Sequence, residues 1–405
     1  MKKFNKVLSV AVASAMVMAM AGCGNTDNGS AATGTNAATE SAAASDSAAS
    51  GSVFKIGGIG PTTGGAAVYG LAVQHGAEIA VEEINAAGGI NGYQVEFKFQ
   101  DDEADAEKSV NAYNALKDWG AQIIDGSTTS GACIAVTDKT KEDNMFQITP
   151  SGSAVECVQY DNNFRVCFSD PNQGLASAQY IGENGLAEKI AVIYDSSDVY
   201  SSGIYEKFAK EAENQPFEIV AAEAFTADNK TDFSVQLQKA KDAGADMVFL
   251  PIYYQESALI LTQAAAMGYA PKWFSCDGMD GILGGVDNFD VSLTEGVMLL
   301  TPFAADATDD LTQSFVTKYK EKYGETPNQF AADSYDAIYV IKAAIEKSGV
   351  TPDMSVSDIC DGMKAAMTEI TVDGLTGSGM TWTADGEANK APKAVVIENG
   401  AYKAM

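Results

Sequence analysis

Short apolar segments alternate with amphipathic ones in two successive series, and this alternation restricts the fold more than any other feature of the chain. Residues 53–59 read as an apolar strand, followed by a helix carrying Ile79, Ala80 and Ile84 and stopped at Gly88-Gly89. Residues 93–99 (YQVEFKF) alternate with period two, as a half-exposed strand does. A helix over 105–118, a strand over 121–124, a helix over 131–142 and a strand over 145–148 complete the first series. The second runs through helix 172–184, strand 189–194, helix 200–212, strand 217–224, helix 231–242, strand 247–250, helix 255–267 and strand 272–275. Residues 309–346 are again helical with a break at Gly324-Glu325-Thr326-Pro327, and 380–382 and 394–397 read as short strands. Strands separated by helices of this length pair in parallel through βαβ units. The expected fold class is therefore α/β, with two Rossmann-like, doubly wound lobes.

Open parallel sheets bind ligands beyond the carboxyl ends of their strands, near helix N-termini. The strand-exit loops of the first series are rich in small hydroxyl residues: Thr62-Thr63-Gly64-Gly65, Gly126-Ser127-Thr128-Thr129-Ser130 and Thr149-Pro150-Ser151-Gly152-Ser153. Hydroxyls beside the free N–H groups of a helix start bind a carboxylate, although Ser and Thr also cap helices everywhere. Exits of the second series differ, with Asp195 to Tyr200, Pro251-Ile252-Tyr253-Tyr254 and Ser275-Cys276-Asp277-Gly278 offering aromatic rings and an acid. Hydroxyls on one side and Tyr plus Asp on the other suit a zwitterion: the hydroxyls take its carboxylate and Asp277 its ammonium. The competing reading makes Tyr254 a core residue and Asp277 a cap.

The N-terminus adds an address. Lys2, Lys3 and Lys6 precede an apolar run over 7–20, too short to span a bilayer but suited to a signal-peptide core. Met20-Ala21-Gly22-Cys23 resembles a bacterial lipobox, which makes Cys23 the expected lipidation site and 1–22 the removed signal. Residues 24–52 are almost all Gly, Ala, Ser, Thr, Asn and Asp and read as a tether, so that 23–52 links the lipid to the folded body. The expected location is outside the cytoplasm, on the outer membrane face or in a periplasm. Acidic residues outnumber basic ones 55 to 26, and Arg165 is the only arginine, which argues against a nucleic-acid partner. Apart from Cys23 there are five cysteines, of which Cys157 and Cys167 flank a short polar loop and could form a disulfide outside the cell; spacing alone does not fix the pairing, and simple buried small residues are the equal alternative. With one histidine and no CxxC, a metal site has little to build on, and no cofactor is expected.

Several strings, taken in order, carry a family resemblance: FKIGGIGPTTG within 53–65, GAEIAVEEINAAGGING over 76–92, Asp101-Asp102, ITPSG over 148–152 and FRVCFSD over 164–170. Together they resemble branched-chain amino acid ABC-transporter binding proteins, and INxxGGING over 84–92 is the most distinctive of them. The resemblance covers 53–400 and implies a clamshell of two lobes joined by three crossovers, 53–171 plus 302–390 and 172–301 plus 391–405. It implies that Thr129, in the loop with Ser130, contacts the ligand carboxylate. Ser151, Gly152 and Ser153 would form the second hydroxyl loop, with a backbone carbonyl toward the ammonium. Asp277 would pair with the ammonium where a glutamate is usual, and Tyr69, Tyr200 and Tyr253 would line the cleft. The implied partners are an amino acid, an ABC permease and, through the lipid, the membrane, with the protein itself a monomer. Relatives of this type also bind other amino acids, amides or urea, or act as ligand sensors.

Enzymatic readings fare worse. Gly58-x-Gly60 follows a strand, but Thr63 stands where a dinucleotide fingerprint needs its third glycine, and the nearest acids, Asp101 and Asp102, come too late. A hydrolytic triad would have to use His75, inside an expected helix with no nucleophile elbow nearby.

Overall fold

The computed structural model describes residues 51–405. The signal segment, the lipidation site Cys23 and all but the last two residues of the tether lie outside them. Ser52, at the tether's end, donates a hydrogen bond to Asp353 Oδ1 at 2.5 Å.

Two sheets form the frame. The first holds β1 (Phe54–Gly60), β2 (Val95–Asp101), β3 (Ile123–Asp125), β4 (Phe146–Thr149) and β5 (Asn163–Arg165), all parallel, in the order β2-β1-β3-β4-β5. The helices α1 (Ala67–Ala86), α2 (Ala106–Trp119) and α3 (Ser130–Asp143) are the crossovers between its strands. Position explains pattern here: β3 and β4 are central and buried along their whole length, whereas β2 lies at the edge and is largely half-exposed.

From α4 (Asp170–Glu183) the chain enters a second sheet. It passes through β6 (Lys189–Asp195), α5 (Val199–Ala212), β7 (Glu218–Phe225), α6 (Ser234–Asp242), β8 (Met247–Leu250), α7 (Tyr254–Ala266), β9 (Lys272–Ser275) and β10 (Met298–Thr301). Strands β6 to β10 are parallel and repeat the order of the first sheet. The chain then leaves for α8 (Asp310–Tyr323), α9 (Gln329–Ser348) and α10 (Val356–Met367), of which α8 and α9 pack on α1. It returns as β11 (Lys393–Glu398) and β12 (Ala401–Ala404), which extend the second sheet in antiparallel fashion beside β10. The fold class is the expected α/β one. The α1–α9 crossing is close because Gly76 has no side chain: a Cβ there would strike the Ala331 carbonyl.

One expectation is corrected and one open alternative is decided. Residues 380–382 form no strand, only single bridges of Met380 with Val372 and of Trp382 with Ala388, because Trp382 is held instead by its indole N–H on the Arg165 carbonyl at 2.8 Å. Cys157 and Cys167 are not paired: all five described cysteines are free and buried. Cys157 Sγ faces the Ser130 carbonyl at 3.7 Å and Cys167 Sγ the Gly152 carbonyl at 3.6 Å, so each thiol is used as a packing and hydrogen-bonding group.

Candidate functional site

The carboxyl ends of both sheets converge on one cavity. The exits of β3 and β4 supply Thr128, Thr129, Ser130, Ser151 and Ser153, and those of β6, β8 and β9 supply Tyr200, Tyr253, Asp277 and Gly278. Tyr69 from α1 and Phe330 from α9 complete the lining. About 240 Å³ between these side chains, its opening included, is unfilled by atoms.

On the first-sheet side most hydroxyls knit the two loops together. Ser151 Oγ donates to the Thr128 carbonyl at 2.6 Å, Thr149 Oγ1 to the Ser127 carbonyl at 2.7 Å, and Ser130 Oγ accepts from the N–H groups of Ser153 and Ala154 at 3.1 Å. Thr129 is different. Its Oγ1 is buried without a hydrogen-bond partner among the described residues, and although Thr129 is the N-cap residue of α3, its side chain makes no capping bond. A free hydroxyl therefore sits beside first-turn N–H groups that a helix leaves unbonded, a natural seat for a carboxylate. Gly152 stands apart from the lining. Its N–H goes to Thr149 Oγ1 at 2.7 Å and its carbonyl to Arg165 at 3.2 Å, so it holds the loop from inside. The Thr62-Thr63 loop also stays out, bound at both residues to Asp101.

Arg165 braces this side from behind. Wholly buried, it donates Nη1 to the carbonyls of Gly152 and Ser153 and Nη2 to those of Ala154 and Val155, at 2.5–3.4 Å, with Nε 3.3 Å from Glu387.

The second-sheet side carries the charge. Asp277 does not act as a cap; its Oδ1 accepts from the Tyr200 hydroxyl at 2.7 Å. Burial raises its pKa to about 7, with the Tyr200 hydrogen bond opposing. Tyr200 in turn accepts the N–H of Gly278 at 2.9 Å, an approach open only because Gly278 lacks a Cβ, which would lie 2.6 Å from that hydroxyl. Tyr200 and Tyr253 stack at 5.0 Å, and Tyr253 meets Tyr69 edge-on at 5.4 Å. Tyr69 ties the two sides: its hydroxyl donates to the Gly278 carbonyl and accepts from Tyr254 N at 3.2 Å. Tyr254 itself is core, as the plainer reading held.

Of the lining residues only Phe330 was not found from sequence, Thr128 and Gly278 lying in the strand-exit loops read there; Asp170, outside the lining, was missed as well. Asp170 begins α4, is 1 % exposed, and neither carboxylate oxygen has a partner among the described residues. Burial drives its pKa well up, Ser153 opposes, and the nearby Asp277 adds to the rise. His75 is a packing residue, stacked on Tyr323 at 3.6 Å.

The sequence profile of the periplasmic binding protein family matches residues 53–401, the whole described body but its ends. The chain belongs to the periplasmic binding protein family. This family member is 31% identical over 300 residues to Leu/Ile/Val-binding protein homolog 3 of Brucella melitensis, covering 74% of this chain and 80% of the relative. It is 30% identical over 302 residues to the leucine-, isoleucine-, valine-, threonine- and alanine-binding protein of Pseudomonas aeruginosa, covering 73% and 78%. Among solved structures it is similar to the branched-chain amino acid transporter substrate-binding protein LivJ of Streptococcus pneumoniae in complex with isoleucine. The TM-score is 0.78 at 29% identity, over 87% of this chain and 98% of that one. The leucine-binding protein LivK of Thermotoga maritima gives 0.76 at 28% identity with the same coverage. The resemblance read from the motifs and the expected solute-binding role are thus both upheld.

Proposed function

We propose that this solute-binding protein captures a small amino acid, a branched-chain one foremost, between its lobes and delivers it to an ABC permease without chemical conversion. The observation that carries this reading is the pairing across one cavity of the free Thr129 hydroxyl at the start of α3 with the buried Asp277 carboxylate. One end receives a carboxylate and the other an ammonium. Ser130, Ser151 and Ser153 hold the first end in shape, and Tyr69, Tyr200 and Tyr253 wall the ligand's side chain. The lobes are 53–171 plus 302–390 and 172–301 plus 391–405, hinged where the chain passes between the sheets. Ligand binds the first lobe and favours the closed form through contacts made only there. Cys23 carries the lipid and 23–52 the tether, which keeps the monomeric body at the outer face of the membrane.

Thermal unfolding of the purified protein against single amino acids, urea and short amides tests the reading. At about 100 times the dissociation constant, a ligand of the native state adds roughly 2.7 kcal/mol. An upward shift with isoleucine, leucine or valine supports it. A shift confined to an amide or urea, lacking the ammonium, removes the role given to Asp277. No shift with any of them overturns amino-acid capture.

A further inference from the structure

A second, larger cavity lies beside the junction of the two sheets, on the other face of the contact between α1 and the 278–285 segment. It holds about 1370 Å³ of unfilled space, its open mouth included. Val68, Leu71 and Ala72 of α1 form one wall, and the segment from Asp280 to Gly285 after β9 forms another. The crossover residues Phe303 to Asp306, the α8–α9 turn and the β11–β12 hairpin close the rest. Tyr69 and Val68 are neighbours on α1, so the cleft and this cavity share a partition.

One group in the wall is unexplained by the fold. Asp280 is 4 % exposed, and while its Oδ2 accepts from Gln329 N at 2.9 Å, its Oδ1 has no hydrogen-bond partner among the described residues. The Tyr402 hydroxyl, which accepts from Gly281 N at 3.4 Å, stands beside the carboxyl. Burial raises the Asp280 pKa to about 6 against the pull of Gln329 N and Tyr402. With Gln329 N and the Tyr402 hydroxyl as donors the carboxyl still has no ion-pair partner among the described residues; a buried carboxylate without a counter-charge is costly, and a cation supplies one. The remaining charges of the wall point the same way: Asp306 and Glu325 are acidic and only Lys320 is basic. Leu71, Leu283, Phe303 and Tyr319 offer apolar and aromatic surface between them.

We infer that this cavity is a second binding site, for a small amphipathic organic cation: a primary ammonium set on Asp280, carried by an apolar body lying against Leu71, Leu283 and Phe303. A neutral molecule of the same shape leaves Asp280 unpaired and binds more weakly. An anion meets three acids and is excluded.

The probe is phenethylamine, with 2-phenylethanol as its neutral twin, titrated into the full-chain protein by calorimetry. Phenethylamine is expected to bind, and 2-phenylethanol to bind roughly tenfold or more weakly, the worth of one charge-assisted hydrogen bond. Asp280→Asn weakens phenethylamine by a similar factor while keeping an acceptor for Gln329 N. Leu71→Trp, on a face 38% exposed, fills the mouth and abolishes binding, and serves should the Asp280 variant misfold. Asp277→Ala leaves phenethylamine binding intact. Absence of binding to the wild type, equal affinity in Asp280→Asn and Leu71→Trp, or loss of binding in Asp277→Ala overturns the inference.

Discussion

Lys390 Nζ lies 2.6 Å from Asp333 Oδ1, with both side chains almost wholly buried. The same ammonium donates to the Val166 carbonyl at 3.0 Å. One ion pair thus ties the passage after β5, helix α9 and the passage before β11, the region where the chain changes sheets. Burial raises the Asp333 pKa to about 6, and the facing ammonium opposes. Lys390→Met strands Asp333 beside Asp336 and is expected to cost roughly 3–5 kcal/mol in urea unfolding. The double variant with Asp333→Asn should recover most of it. Equal losses in single and double variants would show that the pair is not what stabilises this junction.

Asp277→Ala should weaken amino-acid binding ten- to a hundredfold by calorimetry, the loss of about 1.5–3 kcal/mol. Thr129→Ala removes a neutral donor at the opposite end and should cost less, about tenfold. Wild-type affinity in either variant rules out its assigned contact.

Binding should also depend on pH. In the empty protein Asp277 titrates near 7 because it is buried. An ammonium stabilises only the ionised form, so below pH 7 the ligand must displace a proton. Affinity should fall by up to about tenfold per pH unit as pH drops from 7 toward 5. Asp277→Asn should bind weakly and with a flatter profile. A wild-type profile flat over that range would show that Asp277 meets no ammonium.

Asp125 gives a stability signature of the opposite sense to an ordinary salt-bridged acid. Only its Oδ2 is bonded, to Ser334 Oγ at 3.1 Å, and burial raises its pKa to about 7. Between about pH 4 and 7 the unfolded chain ionises this group while the folded one keeps it protonated. The folded state then holds more protons, and stability falls as pH rises through that window, by at most about 1.4 kcal/mol per unit. Asp125→Asn removes this contribution, so its unfolding free energy should decline less between pH 5 and 7. Parallel curves for variant and wild type would refute the assignment.

Much of this was legible in the sequence, for reasons that differ by element. Strand β8 is uniformly apolar because it is buried along its whole length, β3 and β4 are equally buried but carry Asp125, Gln147 and Thr149 among their apolar residues, and the edge strand β2 alternates because it is half-exposed. Strand β5 went unread since Asn-Phe-Arg has no strand pattern; Arg165 is buried there only because four distant carbonyls receive it. Strand β10 and helix α10 did leave signals, the apolar run of Met298–Thr301 and the Ser355 cap before Ile359, Cys360 and Met363. At the site, residues on strand exits were found because the fold itself aims those loops. Phe330 and Asp170 were not, since their approach depends on how helices pack across the sheets, which periodicity does not encode.

Arg165 has one more consequence. As the sole guanidinium of the chain and wholly buried, it offers an arginine-selective reagent such as phenylglyoxal nothing to react with while the loop it braces stays closed. The rate of its labelling is therefore a chemical clock for opening of the 152–155 loop, readable as a single mass increment without any engineered tag.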